Sequence, residues 1–140
     1  AEQHYLLSLE MLEKIYGREN ERVAAVFNNL GSLYYTAGFP DQAREMHLEA
    51  LDIRTQVFGP NHPEVAQSYC NLATACYELQ DDAGVSRNYE QSLRILEQHL
   101  DTEADTYEQV GSDYAAVLEA SGEERKAQTL RRRMEKALRR

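Results

Sequence analysis

The sequence predicts an all-α protein: a solenoid of antiparallel helix pairs, with about seven helices in 140 residues. Three observations carry this. The chain resembles itself at a fixed shift of 42 residues, the apolar residues inside each period recur at helical spacing, and glycine and proline punctuate the boundaries. At one shift Gly17 becomes Gly59, Val23-Ala24 becomes Val65-Ala66, Asn29-Leu30 becomes Asn71-Leu72 and Tyr35 becomes Tyr77. A third copy aligns Leu9, Leu51 and Leu93, then Met11, Ile53 and Ile95, then the turn position Gly38, Gln80 and Gly122.

The elements follow in order. A helix over 2–16 carries Leu9 and Met11, which match second-helix positions of the later copies, so the chain begins halfway through a repeat. Its outer face is expected either to result from excision from a longer array or to be covered by an upstream segment. Ala24, Phe27, Leu30-Gly31 and Tyr34 place an amphipathic helix over 20–37, which Gly38 can end. Pro40 suits the first turn of the next helix, 40–57, whose inner face reads Ala43, His47, Ala50-Leu51 and Arg54. Gly59-Pro60-Asn61-His62-Pro63-Glu64 repeats this grammar, with Asn61 or His62 as cap and Glu64 favourably placed against the dipole of a helix over 63–79. Helices over 82–99, 103–120 and 123–139 complete the count, the last with an apolar stripe of Ala127, Leu130, Met134, Ala137 and Leu138. The expected organisation is one domain, 1–140, divided into 1–17 (the second helix of a truncated repeat), 18–59, 60–101 and a divergent 102–140.

Composition narrows the function. With 42 % hydrophobic and 28 % charged residues the chain can bury a core. No apolar run approaches the roughly 18 to 20 residues of a membrane helix, and the start lacks a signal-peptide layout, so a soluble, cytoplasmic protein is expected. Cys70 and Cys76, six apart on one helix, diverge by about 240° and read as reduced thiols rather than a disulfide or metal pair. Residues 1–124 hold 7 Lys+Arg against 23 Asp+Glu, a balance of −16, whereas residues 125–140 hold 8 against Glu135 alone, a balance of +7. The acidic body disfavours nucleic acid as a partner.

Leu30-Gly31, Tyr34, Ala43, His47 and Ala50 stand at the spacings of the tetratricopeptide signature, and the chain is identified as a member of that family. Its long period, with Phe27-Asn28-Asn29-Leu30-Gly31, Ala50-Leu51-Asp52-Ile53-Arg54 and Gly59-Pro60-Asn61-His62-Pro63-Glu64-Val65-Ala66, resembles the repeats of kinesin light chains. The resemblance is strongest over 20–100. It weakens where Ala104-Asp105 replaces His62-Pro63 and Gly111 stands in the place of Phe27 and Tyr69. It implies a right-handed solenoid whose first helices line a concave channel that binds a polypeptide.

On that implication the channel stripe comprises Ala25, Asn28, Asn29, Ser32, Tyr35 and Thr36, then Gln67, Cys70, Asn71, Thr74, Tyr77 and Glu78, then Gln109, Ser112, Asp113, Ala116, Glu119 and Ala120. Asn29 and Asn71 can each donate and accept, so they either grip a peptide backbone or cross-link neighbouring helices. Tyr35 and Tyr77 offer contact area with little entropy to lose, or else pack between repeats. None of the eighteen positions is Lys or Arg, so a clamp for acidic termini is not expected; the partner should be a neutral or basic peptide, not the acidic cargo peptides of kinesin light chains.

His4, His47, His62 and His99 show no ligand spacing, and no phosphate loop or nucleophile setting occurs, so neither an enzyme nor a cofactor or metal site is expected. His47 occupies the place of Tyr5 and Tyr89 and reads as packing. The basic end, with Arg131, Arg132, Arg133 and Lys136, either caps the array or docks an acidic partner or membrane surface; Arg131 replaces the Tyr5, His47 and Tyr89 series, and Met134 the Ser8, Ala50 and Ser92 series. Self-association through terminal hairpins is the alternative to a peptide-binding adaptor.

Overall fold

A computed structural model describes residues 2–139; the side chains of Glu2 and Tyr5 lie outside that description, and so does Arg140 of the basic end. Among the described residues the elements are α1 (Glu2–Tyr16), α2 (Glu21–Ala37), α3 (Pro40–Phe58), α4 (Pro63–Glu78), α5 (Asp82–Leu96), a 3-10 turn (Glu97–His99), α6 (Leu100–Ala120) and α7 (Glu124–Leu138). The fold is an all-helical solenoid. Each helix packs chiefly on its sequence neighbours, with α2 on α3, α4 on α5 and α6 on α7 as pairs, and α3–α4 and α5–α6 joining them.

Seven helices were expected; among the described residues the helical structure runs in six stretches, because α5, the 3-10 turn and α6 follow one another without a loop. The helix expected over 82–99 is α-helical only to Leu96, and the 3-10 turn leads directly into α6, which starts at Leu100 rather than 103. The cause lies in the junction. After α3 the chain meets Gly59, Pro60 and Pro63, which stop one helix and set the next, with His62 Nδ1 accepting from the Glu64 N–H at 3.0 Å. No glycine or proline occurs over 97–106, so no loop opens there, and the backbone leaves helical geometry only locally, at His99 with φ −131° and ψ 32° and at Glu103 with φ −116° and ψ 20°.

The turns inside the pairs hold the 42-residue register closely. Gly38, Gln80 and Gly122 all adopt positive φ, at 90°, 59° and 81°. Each closes the same helix-end motif: Phe39 N–H to Tyr34 O at 2.8 Å, Asp81 N–H to Cys76 O at 2.9 Å, and Glu123 N–H to Leu118 O at 2.8 Å.

The apolar stripes meet as the periodicity predicts. Leu30 and Leu72 are 0 % and 2 % exposed, and one cluster joins Val23, Ala24 and Phe27 of α2 to Ala50 and Ile53 of α3, with Leu9 and Leu12 of α1 packed against it. A larger cluster runs from Val65 to Met134 through α4–α7, and Tyr89 stacks on Tyr114 with ring centroids 4.7 Å apart. Close approach of paired helices depends on small residues. A Cβ on Gly31 would lie 2.6 Å from the His47 ring, and one on Gly111 would lie 2.4 Å from Met134. The second contact explains the divergence of the last pair: the space that Phe27 and Tyr69 fill on α2 and α4 is open at Gly111, and Met134 enters it from α7.

His47 is buried, with Nδ1 finding no hydrogen-bond partner among the described residues. Burial first, and the Arg54 charge second, lower its pKa to about 4, so it packs as a neutral ring. Arg54, likewise buried, donates to Ser68 Oγ at 2.9 Å and pairs with Glu64 at 3.5 Å, tying α3 to α4.

Candidate peptide-binding groove

The expected channel residues lie on α2, α4 and α6, and none of the eighteen is buried. Ala25, Asn29, Ser32, Tyr35, Gln67, Tyr77, Glu78, Ser112 and Asp113 are exposed, whereas Asn28, Cys70, Asn71 and Thr74 are half-buried between helices. The stripe therefore projects away from the core as its spacing requires.

The asparagines are not equivalent. Asn71 Nδ2 donates to Asn28 Oδ1 at 2.8 Å, so the residue in register with Asn29 bonds instead to that residue's neighbour and cross-links α4 to α2. Thr74 Oγ1 donates to the Asn71 carbonyl at 2.7 Å, and the Tyr35 hydroxyl reaches Glu78 at 3.5 Å. Asn29 remains exposed on the rim. The cross-linking alternative is the one seen for Asn71, whereas Asn29 is exposed.

Two cavities occupy the face. One, of about 420 Å³ between α2 and α4, is lined by Arg22, Ala25, Arg54, Phe58 and His62 together with Glu21 and Glu64. The expectation of a groove without cations is thus corrected at this end. Arg54 belongs to α3, and its long side chain reaches between the first helices; Arg22 stands one turn before Ala25, with its guanidinium 4.7 Å from the Tyr16 ring centroid. The other cavity, of about 510 Å³ between α4 and α6, is lined by Gln67, Cys70, Asn71, Gln109 and Asp113, and by Glu64, Glu103 and Asp105. No Lys or Arg lines it. Gln109 Nε2 donates to Asp113 at 2.9 Å, and among the described residues Glu103, Asp105 and Asp113 make no ion pair. Burial, reinforced by the Asp113 charge, raises the Cys70 thiol to about 11, so it remains neutral in the wall.

Reading the sequence missed Arg22, Glu64 and Thr106, although the signal was present: they lie one period apart, three residues before Ala25, Gln67 and Gln109, and so extend the stripe by a turn.

The basic end also divides. Arg133 turns inward, its Nε 2.8 Å from Glu97 and its second guanidinium nitrogen 2.7 Å from Glu90, and the Tyr107 hydroxyl donates to Glu97 at 2.6 Å. Burial pushes the Glu97 carboxyl up, but the bonds from Arg133 and Tyr107 outweigh it and hold the carboxyl below its ordinary value. Arg131 pairs with Glu119, while Arg132 and Lys136 are exposed. The expected patch of Arg131, Arg132, Arg133 and Lys136 is therefore not one surface: Arg133 is a tie between α7 and the α5–α6 junction.

The sequence matches the family model "Tetratricopeptide repeat" over residues 1–55 and 22–98. The chain belongs to the tetratricopeptide-repeat family. Tetratricopeptide repeats are protein–protein interaction modules, and the family is one of non-catalytic scaffolds. The chain is 25 % identical to "Tetratricopeptide repeat protein 23" of Bos taurus over 95 residues, which is 68 % of this chain and 21 % of that protein. The fold is similar to the crystal structure of BtubC (BKLC) from P. vanneervenii, with a TM-score of 0.84 and 25 % identity over 96 % of this tetratricopeptide chain and 54 % of the other. It thus spans about a fifth and about half of these two relatives. No helix among the described residues is long and apolar enough to cross a membrane.

Proposed function

We propose that this tetratricopeptide array is an adaptor that binds an extended peptide segment of a partner protein along α2, α4 and α6, in the cytoplasm, with 18–59, 60–101 and 102–140 as its repeat units after a second-helix equivalent at 1–17. The observation that carries this reading is the cavity between α4 and α6, where the exposed amides of Gln67 and Gln109 stand beside the carboxylates of Glu103, Asp105 and Asp113, which among the described residues make no ion pair. Such a wall favours a neutral or basic segment and repels an acidic one. Asn29, Ser32, Tyr35 and Tyr77 would continue the contact along α2 and α4, and Ser112 along α6. A peptide array spanning acidic, neutral and basic sequences tests the reading. Basic and neutral peptides should bind and lose affinity when Asn29 and Asp113 are replaced together by Ala and Asn; selection of acidic peptides would overturn it.

A second reading, assembly with copies of itself or with an acidic partner or membrane surface, draws on the two ends. Leu7, Met11 and Ile15 of α1 are 62 %, 62 % and 65 % exposed, and α7 is basic. Light scattering over a range of concentrations separates the readings, since a constant monomer mass favours the adaptor.

A further inference from the structure

We propose that α7 carries a docking stripe for an acidic polypeptide segment, formed by Arg125, Arg132, Lys136 and Arg139. It makes the second reading above specific and does not depend on the concave groove.

Seven of the eight cations of the last sixteen residues lie among the described residues, and they sort by where their charge goes. Lys126 pairs with Glu123, Arg131 with Glu119, and Arg133 with Glu90 and Glu97. Arg125, Arg132, Lys136 and Arg139 are exposed and, among the described residues, make no ion pair. These four are not scattered. At about 100° per residue Arg125, Arg132 and Lys136 fall within an arc of about 40° of α7, opposite the buried seam of Ala127, Leu130 and Met134, and Arg139 follows at the C-terminal cap of the helix. They span four turns, roughly 21 Å at about 1.5 Å per residue, with Gln128 and Thr129 beside them. The packing of α7 therefore consumes three cations and aligns four others in a single outward row.

A row of this shape selects its occupant. The outward arc carries no aromatic or aliphatic side chain to enter a bilayer, and lasting attachment of a surface helix to lipid draws on buried apolar area as well as charge. The balance of −16 on residues 1–124 repels the extended phosphate backbone of a nucleic acid, which would overhang so short a row. An acidic peptide fits, because a segment of roughly six extended residues, at about 3.5 Å each, covers the row without reaching the acidic body. Carboxylates would pair bidentately with the three guanidiniums and singly with Lys136.

Fluorescence anisotropy with a labelled oligoglutamate peptide, at low and at physiological salt, tests this on the whole chain. Replacing Arg125, Arg132, Lys136 and Arg139 together by Gln should weaken binding by about tenfold or more, since exposed pairs contribute modestly each and add along a row. Arg131→Gln, whose native partner is Glu119, should change it by less than about twofold. The four side chains make no ion pair among the described residues, so an unchanged thermal melt verifies that the fourfold variant is intact. Equal binding by the fourfold variant, or equal loss in Arg131→Gln, would overturn the stripe. Tighter binding of anionic lipid vesicles or of a duplex oligonucleotide than of oligoglutamate would overturn its assigned occupant. A basic peptide titrated in parallel reports the groove alone and should bind the fourfold variant as it binds the native chain.

Discussion

The pairs α2–α3 and α4–α5 solve the packing problem in one way, and α6–α7 solves it in another. In the first two pairs a large side chain on the leading helix, Phe27 or Tyr69, corresponds to a small one, Ala50 or Ser92, on the following helix. In the last pair the sizes are exchanged, with Gly111 on α6 receiving Met134 from α7. The glycine and proline junction that precedes α4 is likewise replaced before α6 by a 3-10 turn, secured by the Glu97, Tyr107 and Arg133 cluster. The difference teaches that the repeat conserves filled volume and helix spacing while the residues that provide them change sides.

The largest effects should come from emptying those volumes. Leu30→Ala and Leu72→Ala should each destabilise the fold by about 2 to 5 kcal/mol in denaturant unfolding, and Met134→Ala should fall in the same range although its counterparts Ala50 and Ser92 are small. A near-neutral Met134→Ala would break the size-exchange account.

Next comes the pH dependence carried by His47, a position that Tyr89 takes in the second pair. Its folded pKa lies at about 4, below the ordinary 6.5. Between these values the unfolded chain binds the extra proton, so stability present above pH 6.5 declines as pH falls toward 4, by up to roughly 3 kcal/mol. Thermal melts across that window should show His47→Phe losing less stability than the native chain.

Arg133→Gln should cost about 1 to 3 kcal/mol, since it removes charged hydrogen bonds from a partly buried carboxylate, measurable by chemical denaturation. An exposed cation of a free patch would give almost nothing. The smallest effect is expected at the Asn28–Asn71 bond, where a double-mutant cycle with alanine should return a coupling of about 1 kcal/mol or less.

Most of the architecture was legible because it rests on periodicity. The register 38, 80 and 122 gave the turn positions, and Leu30 and Leu72 gave the seam. What the sequence hid were relations between residues that no period links. Asn71 shares a register with Asn29 but bonds to Asn28, a contact between helices that alignment of identical positions does not capture. Arg54 reads as one more inward position of α3, yet its length carries a charge through to the cavity between α2 and α4. Arg131, Arg132 and Arg133 read as one block, although successive residues on a helix point about 100° apart and so serve three different surroundings. The exposure of the stripe on α2, α4 and α6 was legible from its spacing; the charge of the cavities at its two ends was not.

The central claim is that the face between α4 and α6 receives a neutral or basic peptide. Titration of an array-selected basic peptide into isotopically labelled protein, followed through backbone amide resonances, tests it most directly. The account predicts shifts concentrated at Gln67, Asn71, Gln109 and Asp113 and diminished by Asp113→Asn. Shifts confined to α3, α5 or the outer face of α7 would contradict it.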